Sequence, residues 1–315
     1  MAQLQLRSID NMHFSRDFMC YQRSAADIQA VVAAEVAAHA DTVTVDMPYD
    51  DPSNYRVCTP SDPNAYEARW LSIIRAQGRH VWFRQMWLNW QGNYGAPKLA
   101  GPAIPLGADT AAVLAGTDTT SYLARTYRWI LAHPSFFRSG DIFTPESEPE
   151  NAGIMPACTA TCQFPSYAAA DAWYAASMLV DRAAFSQLGL SVKVGYWGLT
   201  CSSNYLTPAT IRSMGVYVTD CYKQTPAELV AKLQWLHTRY GVPIILGEWG
   251  DIWDGGVQSA VVARIDGAYS ALRQQSYLVG ISYWQAYDGT TGEGLVDHTT
   301  LRLNQAGLRI QYWFS

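Results

Sequence analysis

The chain has 315 residues, a formal net charge of −5, 49% hydrophobic residues and only 16% charged ones. That balance excludes a disordered chain and supplies a sizeable core. With no run of Lys or Arg, it also argues against a nucleic-acid partner, because phosphate binding needs a basic footprint. No apolar stretch reaches the roughly 18 residues of a membrane span. The opening MAQLQLRSIDNMHF has no apolar signal core, so the compartment stays open between the cytoplasm and export with a signal removed.

In chain order the pattern is strand, loop, helix, repeated. LRSIDNMHF reads as the first strand, and SAADIQAVVAAEVAAHA as an alanine-rich helix capped by Ser24. DTVTVDMPYD alternates β-branched residues as the second strand, before a helix over DPNAYEARWLSIIRAQG that Gly78 closes. RHVWFRQMWLNW is the third strand, followed by a long loop from Gly92 to about Gly116 and the helix TSYLARTYRWILAH. GDIFTP is the fourth strand, and a second long loop separates it from the helix YAAADAWYAASMLVDRAAFSQLG. SVKVGYWG and GVYVTDCY are the fifth and sixth strands, and TPAELVAKLQWLHTRYG a helix with a Thr-Pro start. VPIILGEWGD, a helix around VQSAVVARIDGAYSALRQQ, LVGISYWQAYDG and a last helix in TLRLNQAGLRIQYWF complete the chain. About eight strands alternating with helices point to a single (β/α)8 barrel over 1–315, with extended loops after strands three and four on the face that carries active sites. A doubly wound sheet gives a similar alternation.

The acidic residues fall where that architecture gives them a use. GDIFTPESEPENAG places Glu146, Glu148 and Glu150 within five positions at the end of strand four. Glu248 ends the apolar run of strand seven on the same face, roughly opposite in a closed barrel. A charge at the end of a buried strand is costly unless it is paired or used. Two carboxyl groups facing one another suit glycosidic bond hydrolysis, in which one donates a proton and the other attacks or activates water. The chain also has 12 Trp and 19 Tyr, more than a core needs. Trp87, Trp90, Trp197, Trp249, Trp253 and Trp284 are candidates for stacking on sugar faces, with Trp249 and Trp284 beside strand ends. His13 and Asp10, after strand one, and Asp46 and Tyr49, after strand two, are candidates for sugar hydroxyls. Asp251 and Asp254 read as caps of the helix that follows them.

The order of these strand-end features resembles the clan A retaining glycoside hydrolases, the cellulase-like family five group in particular. SEPEN is similar to the Asn-Glu-Pro of that group's fourth strand, which implies Glu148 as acid/base. GEWG is similar to the seventh-strand motif, which implies Glu248 as nucleophile. DCY stands where the family has His-x-Tyr, so the resemblance implies that Tyr222 orients the nucleophile, with Asp220 in place of the His. SYWQ places Trp284 where the family carries the tryptophan that floors the sugar subsite. WFRQ offers Arg84, on strand three where the family's arginine is on strand two. Ser147 replaces the family's Asn that bonds the sugar 2-hydroxyl, a departure that leaves open which 2-substituent or epimer the subsite takes. Glu146 rivals Glu148 and is assigned to support it by raising its pKa.

The reading is therefore a retaining β-glycosidase with a carbohydrate substrate, no cofactor and no bound metal. One rival is a barrel isomerase or hydrolase binding Mg²⁺ or Mn²⁺ through Glu146, Glu148, Glu248 and Asp220. Another is a non-catalytic carbohydrate-binding barrel. Of the six cysteines, Cys158 and Cys162 lack the spacing and neighbouring His of a zinc site. Free thiols are expected in a reducing compartment, and a local disulfide in an oxidising one.

Overall fold

The β-branched and aromatic runs form strands, and the alanine-rich runs between them form helices. The computed structural model describes residues 4–15, 22–48, 62–86, 106–107, 109–146, 166–195, 197–198, 201, 206–222, 224–250, 257–287 and 294–315. The strands are β1 Leu6–Asp10, β2 Thr42–Pro48, β3 His80–Met86, β4 Ile142–Thr144, β5 Lys193–Val194, β6 Trp197–Gly198, β7 Tyr217–Asp220, β8 Ile244–Trp249 and β9 Leu278–Tyr283. The helices are α1 Met12–Ser15, α2 Ala25–Ala37, α3 Pro63–Ala76, α4 Thr110–Leu114, α5 Tyr122–Ala132, α6 Tyr167–Gln187, α7 Pro208–Met214, α8 Pro226–Tyr240, α9 Gln258–Leu272 and α10 Gln305–Phe314.

Every pairing between these strands is parallel, in the order β5-β4-β3-β2-β1-β9-β8-β7-β6. The two ends of that order, β5 and β6, belong to one short stretch, 193–198, so a single stave closes the sheet. The result is the (β/α)8 barrel, with the expected fifth strand divided between β5 and β6.

The helix boundaries follow local chemistry. The Ser24 side chain accepts from Asp27 N–H at the start of α2. Thr225 and Glu228 form a reciprocal capping box at α8, with Pro226 pre-set at the first turn. Three short helices depart from the expected pattern. The first strand stops at Asp10, whose Oδ1 accepts Met12 N–H at 2.6 Å, and Ser15 Oγ donates to Asn11 O at 2.8 Å. These local bonds turn the chain into α1 instead of extending it. In the region expected as loop, α4 is capped by Asp109. The Thr207 side chain starts α7 in the same way.

The barrel interior is layered. At the N-terminal end Trp82, Ile142, Val218 and Ile245 form an apolar base, with Leu6, Val216 and Val279 packed against it. Above it lies a layer of hydroxyls, in which Ser8 Oγ meets Thr44 Oγ1 at 2.7 Å and Trp82 Nε1 donates to Thr144 Oγ1 at 3.0 Å. The top layer is charged. Inward-facing side chains recur every two residues along a strand, as in Leu6–Ser8–Asp10 or Trp82–Arg84, because successive side chains alternate faces. On β8 the series would miss: Ile245 and Glu248 are three apart. The register slips between Thr219↔Leu246 and Asp220↔Glu248, leaving an extra residue at Gly247 that returns Glu248 to the lumen. A cavity of about 740 Å³ lies at the opposite, N-terminal mouth, bordered by Trp82, Ile142 and Val218.

Candidate active site

The top layer gathers side chains from five strands. Arg84, on β3, is fully buried and donates through Nη1 both to Asp10 Oδ2 at 2.9 Å and to Glu248 Oε1. Its Nε lies 3.6 Å from Asp46 Oδ2. One guanidinium thus holds buried carboxyl groups from β1, β2 and β8 together. Tyr222, just after β7 and half-buried, donates its hydroxyl to the other oxygen of Glu248. Both oxygens of the strand-end glutamate are therefore aimed by neighbours.

Burial pushes the Glu248 carboxyl up to about 7. Arg84 pulls it down, Asp10 raises it, and the Tyr222 hydrogen bond lowers it. Glu146, at the exit of β4, is fully buried and accepts from the Tyr122 hydroxyl of α5, whose oxygen also lies 2.7 Å from Pro145 O. Its carboxyl is raised well above the usual glutamate range, first by burial and then by Asp46.

Trp284 follows β9 and keeps partial exposure at this mouth. Its ring is met edge-on by His13 at 5.3 Å and by Tyr222 at 5.9 Å. His13 is itself anchored through its N–H to Gln285 Oε1 at 3.1 Å. The Trp284 carbonyl passes so close to Gly250 that a Cβ there would lie 1.7 Å from it, so the last residue of GEWG has room only for hydrogen.

The structure brings Arg84, Tyr222, Glu248, Trp284, His13, Asp46, Asp220 and Glu146 to one end of the barrel. Three of the expected assignments are corrected. Trp249 is only 3% exposed and packs against Tyr269 of α9 and Tyr283, since alternation along β8 turns it away from the lumen that Glu248 faces. It cannot stack on a sugar. Asp10 and Asp46 are both fully buried beside Arg84, so they brace the guanidinium and do not reach a sugar hydroxyl. Asp220 is buried at the end of β7, in register with Glu248. The expected residues Ser147, Glu148, Trp87, Tyr49, Trp90, Trp253, Asp251 and Asp254 lie outside the described residues, as does the Trp197 side chain.

Tyr122 and Gln285 also touch the site, from α5 and from beyond Trp284, without a signal in the sequence pattern. A disulfide joins Cys201 and Cys221, whose Cα atoms are 5.2 Å apart. Free thiols therefore do not hold for this pair.

No family model matches the chain, and no curated protein matches it in sequence. Solved structures do resemble it. A family 5 subfamily 18 glycoside hydrolase from Streptomyces cattleya, in complex with GlcNAc, aligns with TM-score 0.70 at 12% identity over 99% of this chain and 80% of that one. A subfamily 18 structure from Bifidobacterium longum subsp. longum aligns with TM-score 0.69 at 11% identity over 99% of this chain and 78% of that one. A family 5 lichenase from Caldicellulosiruptor sp. F32 aligns with TM-score 0.65 at 11% identity, covering 100% of this chain and 98% of that one. A glutamate-to-alanine variant of the Streptomyces protein was solved with Manβ1-4GlcNAc. The chain thus shares its (β/α)8 fold with these solved structures.

Proposed function

We propose that the chain is a retaining glycoside hydrolase acting on a β-linked oligo- or polysaccharide, with Glu248 as nucleophile and Glu148 as acid/base. The observation that carries the reading is Glu248 itself: a buried strand-end carboxyl held at one oxygen by Arg84 and at the other by Tyr222. A carboxylate so restrained attacks from one direction only, and the two donors stabilise its ionised form against burial.

In the first step Glu148 donates its proton to the leaving glycosidic oxygen while a Glu248 oxygen attacks the anomeric carbon, forming a glycosyl ester. In the second, Glu148 takes a proton from water as that water attacks the same carbon, releasing Glu248 with configuration retained. Trp284, flanked by His13 and Tyr222, is placed to lie against the apolar face of the sugar. Glu146, buried on Tyr122, keeps a supporting role beside Glu148.

The ligands bound to structural neighbours, Manβ1-4GlcNAc and cellotetraose, set the first substrates to try. Aryl β-glycosides, Manβ1-4GlcNAc, glucans, mannans and xylans are to be assayed with the parent, Glu148→Ala and Glu248→Ala. The expected result is cleavage of one class by the parent, none by Glu248→Ala, and azide rescue of that variant with a product of inverted anomeric configuration. Failure on every glycoside, together with a marked rise in thermal stability on adding Mn²⁺ or Mg²⁺, overturns the reading in favour of a metal site.

A further inference from the structure

The disulfide lies one residue away from the site. Cys201 follows β6 and Cys221 follows β7, and both are at most 2% exposed. The Cys221 N–H donates to the backbone carbonyl of Glu248 at 3.1 Å, beyond the register slip on β8. Tyr222, the next residue, then reaches its hydroxyl to the Glu248 side chain and sets its ring edge-on to Trp284. Three neighbouring staves, β6, β7 and β8, are thereby joined by one covalent and one hydrogen-bonded link at the point where the tyrosine leaves the sheet. Past Asp220 the Cys221 N–H bond to β8 and the cystine hold the chain together.

We propose that the Cys201–Cys221 disulfide is a positioning element that fixes the backbone before Tyr222 and so holds the tyrosine hydroxyl on Glu248. The role rests on Glu248 being the nucleophile. A hydroxyl donating to a carboxylate favours its ionised form, so loosening Tyr222 makes Glu248 harder to ionise. A disulfide that serves only stability lowers the melting temperature and leaves that ionisation alone.

The test reads Glu248 without substrate. Protein with ¹³C-labelled glutamate carboxyls is titrated by NMR, with Glu248→Gln identifying the resonance. The double variant Cys201→Ser/Cys221→Ser is expected to raise the Glu248 pKa by about one unit, the scale of a hydrogen bond to a charged group. Tyr222→Phe is expected to raise it equally, and the triple variant no further. An unchanged pKa in the double variant, or shifts that add in the triple, overturns the proposal. If the double variant does not fold, the folded parent and Tyr222→Phe are reduced with tris(2-carboxyethyl)phosphine and titrated alike, with a shift expected only in the parent. In the activity arm, the acid limb of kcat/KM moves with the Glu248 pKa while KM stays within about twofold. The NMR shift in a parent that cleaves no glycoside upholds the link and removes the glycosidase reading. An active parent whose double variant shows no shift removes the link alone.

Discussion

Arg84 and Glu248 join opposite sides of the barrel, the guanidinium from β3 bonding the carboxylate from β8 across β2, β1 and β9. The same guanidinium is shared with Asp10 and Asp46, so its single charge is set against three buried carboxyl groups. That ratio makes Arg84 the residue whose loss the top layer tolerates least.

Arg84→Ala is expected to abolish hydrolysis and to lower stability by about 3–5 kcal/mol, because it strands buried carboxylates without a partner. Arg84→Lys keeps the charge but not the fork that serves several acceptors, so it is expected to retain the fold and lose most of kcat. Urea unfolding and steady-state kinetics of the two variants check this. Parent-like kinetics in Arg84→Lys would show that the fork does not act in the reaction.

The pKa of Glu248 sets the acid limb of the reaction. An attacking carboxylate must be ionised, and this one titrates near 7 because burial outweighs the pull of Arg84 and Tyr222. The kcat/KM profile of the free enzyme is therefore expected to fall on the acid side with a midpoint near 7. Folding stability has the opposite slope. The folded pKa is raised above the ordinary 4.5, so this group's contribution is fully present below 4.5 and is lost as pH rises toward 7. Glu248→Gln is expected to flatten that part of the stability curve, read as melting temperature between pH 4.5 and pH 8.

The layered interior explains what the sequence made legible. Two-residue alternation puts Leu6, Ser8 and Asp10, or Trp82 and Arg84, on one face of a strand, so the strand ends that carry charge can be read directly. Glu248 and Tyr222 were legible for the same reason, as polar residues closing apolar runs. Trp249 is not legible in this way, because closeness to a strand end says nothing about which face a residue takes; the residue after Glu248 must point outward. Tyr122 and the Cys201–Cys221 pair were not legible. Each meets its partner through packing between neighbouring elements, Tyr122 from α5 to the end of β4 and Cys201 from one stave to the next, and local pattern carries no record of such contacts.

Gly250 is a steric requirement with a functional reading. The Trp284 carbonyl occupies the space of its missing Cβ at 1.7 Å, and Trp284 N–H is also bonded to Trp249 O at 3.0 Å. Gly250→Ala must displace the backbone that carries Trp284, at about 3 kcal/mol or more. The expected outcome is a lower melting temperature and a KM for the preferred glycoside raised at least about tenfold, since the sugar platform moves with the carbonyl. An alanine variant with parent-like KM would show that Trp284 does not bear on substrate.

Glu67 offers a test of buried ionisation away from the reacting groups. It sits on α3, 2% exposed, and accepts from Gln85 Nε2 behind Arg84 on β3. Burial raises its carboxyl to about 8 while the Gln85 bond lowers it, so the folded protein keeps it protonated at neutral pH. The protonated form has an O–H to offer to Gln85 Oε1, whereas the ionised form has only acceptors. Its stabilising contribution is complete below the ordinary 4.5 and disappears as pH rises through about 8. Glu67→Gln preserves the shape, keeps a donor for Gln85 at every pH and removes the ionisation. The variant is expected to match the parent in melting temperature at pH 5 and to exceed it by about 5 °C at pH 8.5, a difference of a few kcal/mol. A variant less stable than the parent at pH 8.5 would mean that Glu67 is ionised and held as a carboxylate between α3 and β3.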